Sequence, residues 1–359
     1  MGRSVWQPDL VSGDSVVVLS LEPWDDVWRR NQHLTSQLLR QELVRRVVFV
    51  EPARPGRGRR CSPRPGVEVV RPALVVPRRL GGGRLVAARL RRSVLRSADV
   101  LWVNDAPLGA LCLRDGGPRP AYDVTDDWRT SALSARERRR LVRAEDRLTR
   151  AARVIVCSAV LQQRWRDRYG VTPPVVQNGT DPDAYRAAVP VALTGTAPRV
   201  GYLGTLHGER LDLDLVVALA RDPRVGTVFL VGPDHLTPAE RARLDATPGV
   251  VRPGAVAASD VPGWAVAFDV LVCPHLVTDF TRSLDGIKAH EYLASGRPVV
   301  ATATSGFQDL ATAPGVQVVD RAAFADAVAH AGDPLPPGTR GASWAGRAVE
   351  FAAALGVGP

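Results

Sequence analysis

Short apolar runs rich in β-branched residues recur along this 359-residue chain, each separated from the next by enough residues for a helix. Stretches 16–21 (VVVLSL), 47–52 (VVFVEP), 67–72 (VEVVRP), 100–105 (VLWVND) and 153–158 (RVIVCS) form one series, and 199–206 (RVGYLGTL), 227–233 (TVFLVGP) and 269–274 (DVLVCP) another. Runs of this kind fit strands covered on both faces, and their alternation with helical stretches fits parallel sheets. Between the series, Asn178-Gly179-Thr180-Asp181-Pro182 reads as a turn and VPVALTGTAPR as a linker. The length suits two domains. The expected division is 1–184, 198–340 and a terminal helix in 341–359.

The most informative single stretch is Thr281 to Ala301, TRSLDGIKAHEYLASGRPVVA. Ser283 and Asp285 are both candidate N-caps, Ile287, Ala289, Tyr292 and Leu293 return at helical spacing, and Gly296 ends the helix before the buried-strand run Val299-Val300-Ala301. Lys288 is the only lysine in the chain, although Lys plus Arg number 47. An ammonium is a compact point charge where a guanidinium is a planar fork. Three residues on, Glu291 shares its face, so a cation and a carboxylate stand near a helix N-terminus, where free amides favour anions. That suits a nucleotide diphosphate; the plain alternative is a surface ion pair.

This stretch resembles the donor-nucleotide segment of GT-B glycosyltransferases, above all the retaining family 4, in which a lysine is followed by Glu-Tyr-Leu-Ala and Gly-x-Pro-Val-Val. The resemblance implies two Rossmann-like, doubly wound parallel-sheet domains facing across a cleft, with Glu291 holding the ribose hydroxyls of a nucleotide sugar. Many relatives carry a further Glu eight positions earlier, where this chain has Ser283. SWAGRAVEFAAAL resembles the terminal helix that crosses back to the first domain in GT-B chains.

Further candidates cluster where strands end, the ligand-binding edge of open α/β sheets. After the first strand, a helix expected to open near Asp25 or Asp26 places Arg30, Asn31 and His33 at its start, and related enzymes have an Arg-x-Gln-His segment there, beside the acceptor cleft. His33 alone fits a structural hydrogen-bonder equally well. Asp123, Asp126 and Asp127 end another strand in a pattern resembling relatives of cell-surface polysaccharide synthesis. Asp126 is the favoured catalytic or acceptor-orienting carboxylate, and Asp127 the one best placed to cap the following helix. Gly204, Thr205 and Arg210 follow the strand at 199–203 and can bring backbone amides and a guanidinium to a pyrophosphate.

Composition narrows the partners. Four widely spaced cysteines and six histidines without paired spacing point to buried thiols and no metal site. The net charge of +10 divides into +15 over residues 1–175 and −5 beyond. Few aromatics interleave the arginines and no nucleic-acid motif appears, so nucleic acid is not expected. The basic stretch 84–97, with Leu85, Leu90, Val94 and Leu95 on one face, reads either as a packing helix or as a contact for anionic lipid. No apolar run reaches membrane-span length and MGRSVWQPDLVSGD has no apolar leader core, so a cytoplasmic protein, peripheral at the inner membrane face, is expected.

The resemblance, with these readings beside it, implies a metal-independent, retaining glycosyltransferase. Such an enzyme is expected to move sugar from a nucleotide-diphospho-sugar, its donor substrate, to a glycan, lipid-linked or small-molecule acceptor, with no cofactor. The alternative is a two-domain nucleotide- or sugar-binding regulatory protein of the same fold without catalysis.

Overall fold

The computed structural model describes residues 14–358; the stretch 1–13, read above for a leader, lies outside the described residues. The first sheet contains β1 (Ser15–Leu19), β2 (Arg46–Val50), β3 (Arg59–Arg64), β4 (Val67–Arg71), β5 (Val100–Val103), β6 (Arg119–Val124) and β7 (Arg153–Val156), in the order β3-β4-β2-β1-β5-β6-β7. All neighbours are parallel except β3 with β4. The second sheet contains β8 (Arg199–Leu203), β9 (Thr227–Val231), β10 (Val250–Gly254), β11 (Val270–Cys273), β12 (Val299–Ala301) and β13 (Val316–Val318), in the order β10-β9-β8-β11-β12-β13, all parallel. Strand order reverses between β1 and β5 and again between β8 and β11, and at such reversals the carboxyl ends of the strands splay into a crevice.

Alternation along β1 shows why these strands read as continuously apolar. Val17 and Leu19 pack with Val86, Leu90 and Trp165 on one side, while Val16 and Val18 pack with Trp344 and Phe351 on the other. Both faces are therefore buried. Trp344 and Phe351 belong to the terminal helix Trp344–Leu355, which returns to cover the first sheet, and each such side chain contributes about 2–3 kcal/mol on burial. Its Trp344 stacks on His33 at 4.5 Å between ring centroids, the two ring planes nearly parallel.

Several local expectations fail for identifiable reasons. The piece 53–64, whose richness in Pro and Arg predicts an exposed loop, contains the edge strand β3, whose exposed arginines carry no apolar alternation. The run 174–178, PVVQN, reads as a strand by its apolar residues but contributes one bridge, Val175 to Val156. The first helix opens at Arg30, not near Asp25, because the Gln32 side chain accepts the Arg29 amide at 2.9 Å and fixes the start there. The 84–97 stretch is a helix, Gly82–Arg92, followed by a 3-10 turn, Val94–Arg96. Leu90, Val94 and Leu95 point into the core and only Leu85 is exposed, so this face is not free for lipid. All four cysteines are free thiols, three of them buried.

Candidate active site

The second sheet's reversal point is built from the ends of β8 and β11. Tyr202 lies in β8, two residues before Gly204, and His275 follows β11 by two residues. Helix Ile287–Ser295 packs over them, anchored where the buried Tyr292 hydroxyl accepts the Leu203 amide at 2.8 Å. This brings Lys288 Nζ to 2.7 Å from the Tyr202 hydroxyl, 3.4 Å from His275 Nε2 and 4.3 Å from the Tyr202 ring centroid. Burial, with the charge of Lys288, pushes the His275 pKa well down, so at neutral pH the imidazole is uncharged and accepts. A Cβ at Gly204 would lie 2.7 Å from Nζ, and the residue's φ of +143° disfavours any other side chain. Glycine here leaves the ammonium its space.

No carboxylate lies within ion-pair distance of Lys288 among the described residues, which removes the surface ion pair as its explanation. Its hydrogen-bonding neighbours are a phenol and a neutral imidazole, and they leave a half-buried cation outside any ion pair. Arg210 is likewise without an anionic partner there and lies over the Phe280 ring at 5.1 Å. Glu291 is the mirror case, a half-buried carboxylate that accepts no hydrogen bond among the described residues. Burial raises its pKa to about 7, against the pull of Lys288 and His290. Two free cations and a free carboxylate around one strand-end crevice have the charge layout that a ribonucleoside diphosphate needs. Thr205 joins them through its backbone, its carbonyl 3.2 Å from the Tyr202 hydroxyl.

The three aspartates of the first domain separate sharply. Asp123, inside β6, is buried and holds Arg30 through two bonds of 3.1 Å, Trp102 Nε1 at 3.1 Å and Asn104 Nδ2 at 3.2 Å. All its capacity is used within the fold. Asp127 does not cap the following turn as expected; its fully buried carboxylate binds Arg164 at 2.7 Å and Arg168 at 3.0 Å. Although burial opposes it, those two guanidinium groups lower the Asp127 pKa. Asp126 alone is half-buried with a single side-chain partner, Thr125 Oγ1 at 3.0 Å. Burial raises its pKa, offset in part by the charge of Arg210 in the opposite domain. Asp126 and Arg210 therefore feel each other across the cleft.

Neither Ser283 nor Asp285 caps helix Ile287–Ser295, whose N-cap is Gly286 with no side-chain bond. Both are used to join the domains. Ser283, fully buried, donates to the Phe280 carbonyl at 2.7 Å, accepts the Asp127 amide at 3.2 Å, and its carbonyl accepts Ser158 Oγ at 2.9 Å. Asp285 accepts the Asn178 amide and pairs with His290 Nε2 at 3.0 Å. The Ser283 hydroxyl thus reaches the first domain through the Asp127 amide. Arg30 reaches Asn178 Oδ1 at 3.2 Å, and Asn31 donates to Ser20 Oγ at 3.1 Å while its own Oδ1 is buried without a partner among the described residues. His33 sits between Trp28 and Trp344, its pKa lowered to about 4 by burial, an environment that fits the structural reading.

Two doubly wound parallel-sheet domains facing across a cleft, with a terminal helix returning to the first, are the GT-B fold. A sucrose-phosphate synthase from Thermosynechococcus elongatus superposes with a TM-score of 0.69 at 19% identity, covering 95% of this chain and 94% of that one. Anabaena HepE, solved in complex with UDP and glucose, gives 0.63 at 16%, covering 95% of both chains. WaaG, a glycosyltransferase involved in lipopolysaccharide biosynthesis, gives 0.63 at 16%, covering 94% and 95%. Residues 197–332, the domain that holds Lys288 and Glu291, match the family model described as glycosyl transferases group 1. A Bacillus subtilis (strain 168) protein named as a teichuronic acid biosynthesis glycosyltransferase, TuaH, is 26% identical over 200 residues, 50% of this chain and 49% of the relative. The match thus spans about half the length of that curated relative.

Sequence reasoning missed Tyr202, His275, Arg164 and Arg168. The first two were findable as polar residues at strand ends flanking the reversal point. No signal in the chain singles out the two arginines that hold Asp127.

Proposed function

We propose that this protein is a glycosyltransferase that takes a sugar from a nucleotide-diphospho-sugar and passes it to a glycan or lipid-linked acceptor at an anionic membrane face, with retention and without a metal. The observation that carries the reading is Lys288, a half-buried cation in no ion pair among the described residues, set near Arg210 and the unbonded carboxylate of Glu291. In this reading Lys288 and Arg210 take the negative charge that grows on the diphosphate as the bond to the anomeric carbon breaks, the work a metal ion does elsewhere. Glu291 accepts the ribose hydroxyls, and Asp126 accepts the hydrogen of the incoming acceptor hydroxyl. The complexes of HepE with UDP and with UDP-glucose make uridine diphosphate sugars the first donors to try. A thermal-shift panel of nucleotide sugars tests the assignment: at least one raises the melting temperature of the wild type and fails to raise that of Lys288→Met. No shift from any nucleotide sugar refutes it.

The raised Glu291 pKa makes the donor site pH-sensitive in a definite direction. A carboxylate accepts two hydroxyl hydrogens, whereas the protonated acid must first release its proton. Nucleotide-sugar affinity is therefore flat above about pH 7 and falls toward about ten-fold per unit below it. The diphosphodiester of the ligand does not titrate in this range. In Glu291→Gln the affinity is weaker at pH 8 and the slope is gone. Calorimetry at pH 6 and pH 8 reads both; a slope that survives the substitution assigns the titration to another group.

A further inference from the structure

A second cavity, outside the cleft crevice, lies on the first domain among helices Gly82–Arg92, Ala106–Cys112 and Ala135–Ala151 and the corner that follows β4. Its volume is about 670 Å³. Leu74, Val86, Leu108 and Leu111 supply apolar walls, and six exposed arginines, Arg78, Arg79, Arg84, Arg140, Arg143 and Arg147, stand around it. Among the described residues none of these six makes an ion pair or a side-chain hydrogen bond. Elsewhere in the same domain Arg129, Arg164 and Arg168 are all paired. The single carboxylate of the lining, Asp105, is buried and turned to the Leu108 amide at 3.0 Å as the cap of its helix. So many uncompensated cations repel one another, and an external anion relieves that repulsion.

The corner beside the cavity is apolar at its tip. Leu80 is 69% exposed, Val75 58% and Leu85 44%. The backbone holds this tip in place: Gly81 has φ +95°, and a Cβ on Gly82 would lie 1.8 Å from the Val76 carbonyl oxygen. Among the described residues no aromatic side chain lines the cavity, so they offer no stacking platform for nucleic-acid bases. Exposed aliphatics ringed by unpaired arginines match the boundary of a bilayer, where hydrocarbon meets phosphate.

We propose that this cavity and corner form a binding site for anionic phospholipid of a membrane leaflet, with a hydrocarbon chain against the Leu74, Leu108 and Leu111 walls and the phosphate on the arginines. The inference rests on the membrane part of the function proposed above but not on its chemistry. It also moves the lipid contact away from the buried face of the 84–97 stretch. The site opens beside Ala53, Leu74 and Asp105, which follow the carboxyl ends of β2, β4 and β5, so a leaflet held there lies at the same end of the sheet as Asp126.

Sedimentation of the full chain with vesicles tests the proposal. Wild type should pellet with vesicles of phosphatidylcholine mixed with phosphatidylglycerol, stay in solution with phosphatidylcholine alone, and come off as salt rises. Replacing Arg140, Arg143 and Arg147 together by Ser should weaken binding by about two orders of magnitude, from about 1 kcal/mol for each basic residue near the surface. Leu80→Ser should weaken it several-fold, whereas replacing the same three arginines by Lys retains it and controls for folding. Nucleotide-sugar affinity stays at the wild-type value in all these variants, so loss of lipid binding is separable from failure of the donor site. Equal binding to neutral vesicles, wild-type binding by the Ser variant, or capture by soluble dextran sulfate without any vesicle binding would each overturn the lipid assignment.

Discussion

Lys288→Met is expected to lose nucleotide-sugar binding by about 2–3 kcal/mol, on the order of 30- to 150-fold in affinity, with the fold intact. The size follows from what Lys288 lacks. A lysine already paired with a carboxylate would give up little on removal, because its pair would be lost along with its ligand contact. Among the described residues the ammonium hydrogen-bonds only to the Tyr202 hydroxyl and the neutral His275 ring, so in the free protein it is a half-buried charge awaiting an anion. Removing it lifts a desolvation cost from the free protein while taking a full charge from the complex. Stability of the unliganded variant should therefore be equal to wild type or higher. Calorimetry for binding and thermal unfolding for stability check the two halves; a variant that unfolds earlier and binds as before would make Lys288 a structural residue.

Asp126→Asn is expected to lower turnover by about 10²–10⁴-fold while donor affinity stays near wild type. Of the three aspartates, Asp123 is saturated by Arg30, Trp102 and Asn104, and Asp127 by Arg164 and Arg168, so their loss should show first as instability. Breaking a buried pair by removing one partner costs about 3–5 kcal/mol. Asp126 has one hydrogen bond and a raised pKa, which is how a carboxylate kept for a substrate proton looks. Turnover that persists in Asp126→Asn but vanishes in a folded Asp127→Asn would move the role to Asp127.

How much of this was legible in the chain depended on burial. Strands such as β1 and β11 announced themselves because both faces are covered and every residue had to be apolar. Edge strand β3 did not, since RRCSPR faces solvent and pairs on one side only. Lys288 stood out because it is the only lysine among so many arginines. The roles of Ser283 and Asp285 were not readable, because their partners, Asp127, Ser158 and Asn178, are more than a hundred residues distant in sequence and meet them only in the folded chain. A local capping pattern cannot anticipate a long-range partner that competes for the same oxygen atoms.

Transfer itself is the direct test of the central claim. The nucleotide sugar that stabilises the protein is supplied with a radiolabelled sugar moiety, together with a glycan and lipid-linked acceptor fraction and EDTA, and label is followed into the acceptor. The account predicts label in the acceptor, an equal amount of free nucleoside diphosphate released, and loss of both in Asp126→Asn. Tight binding of the nucleotide sugar with no label transferred to any acceptor would contradict it, and would leave a nucleotide-sugar-binding regulator of the same fold.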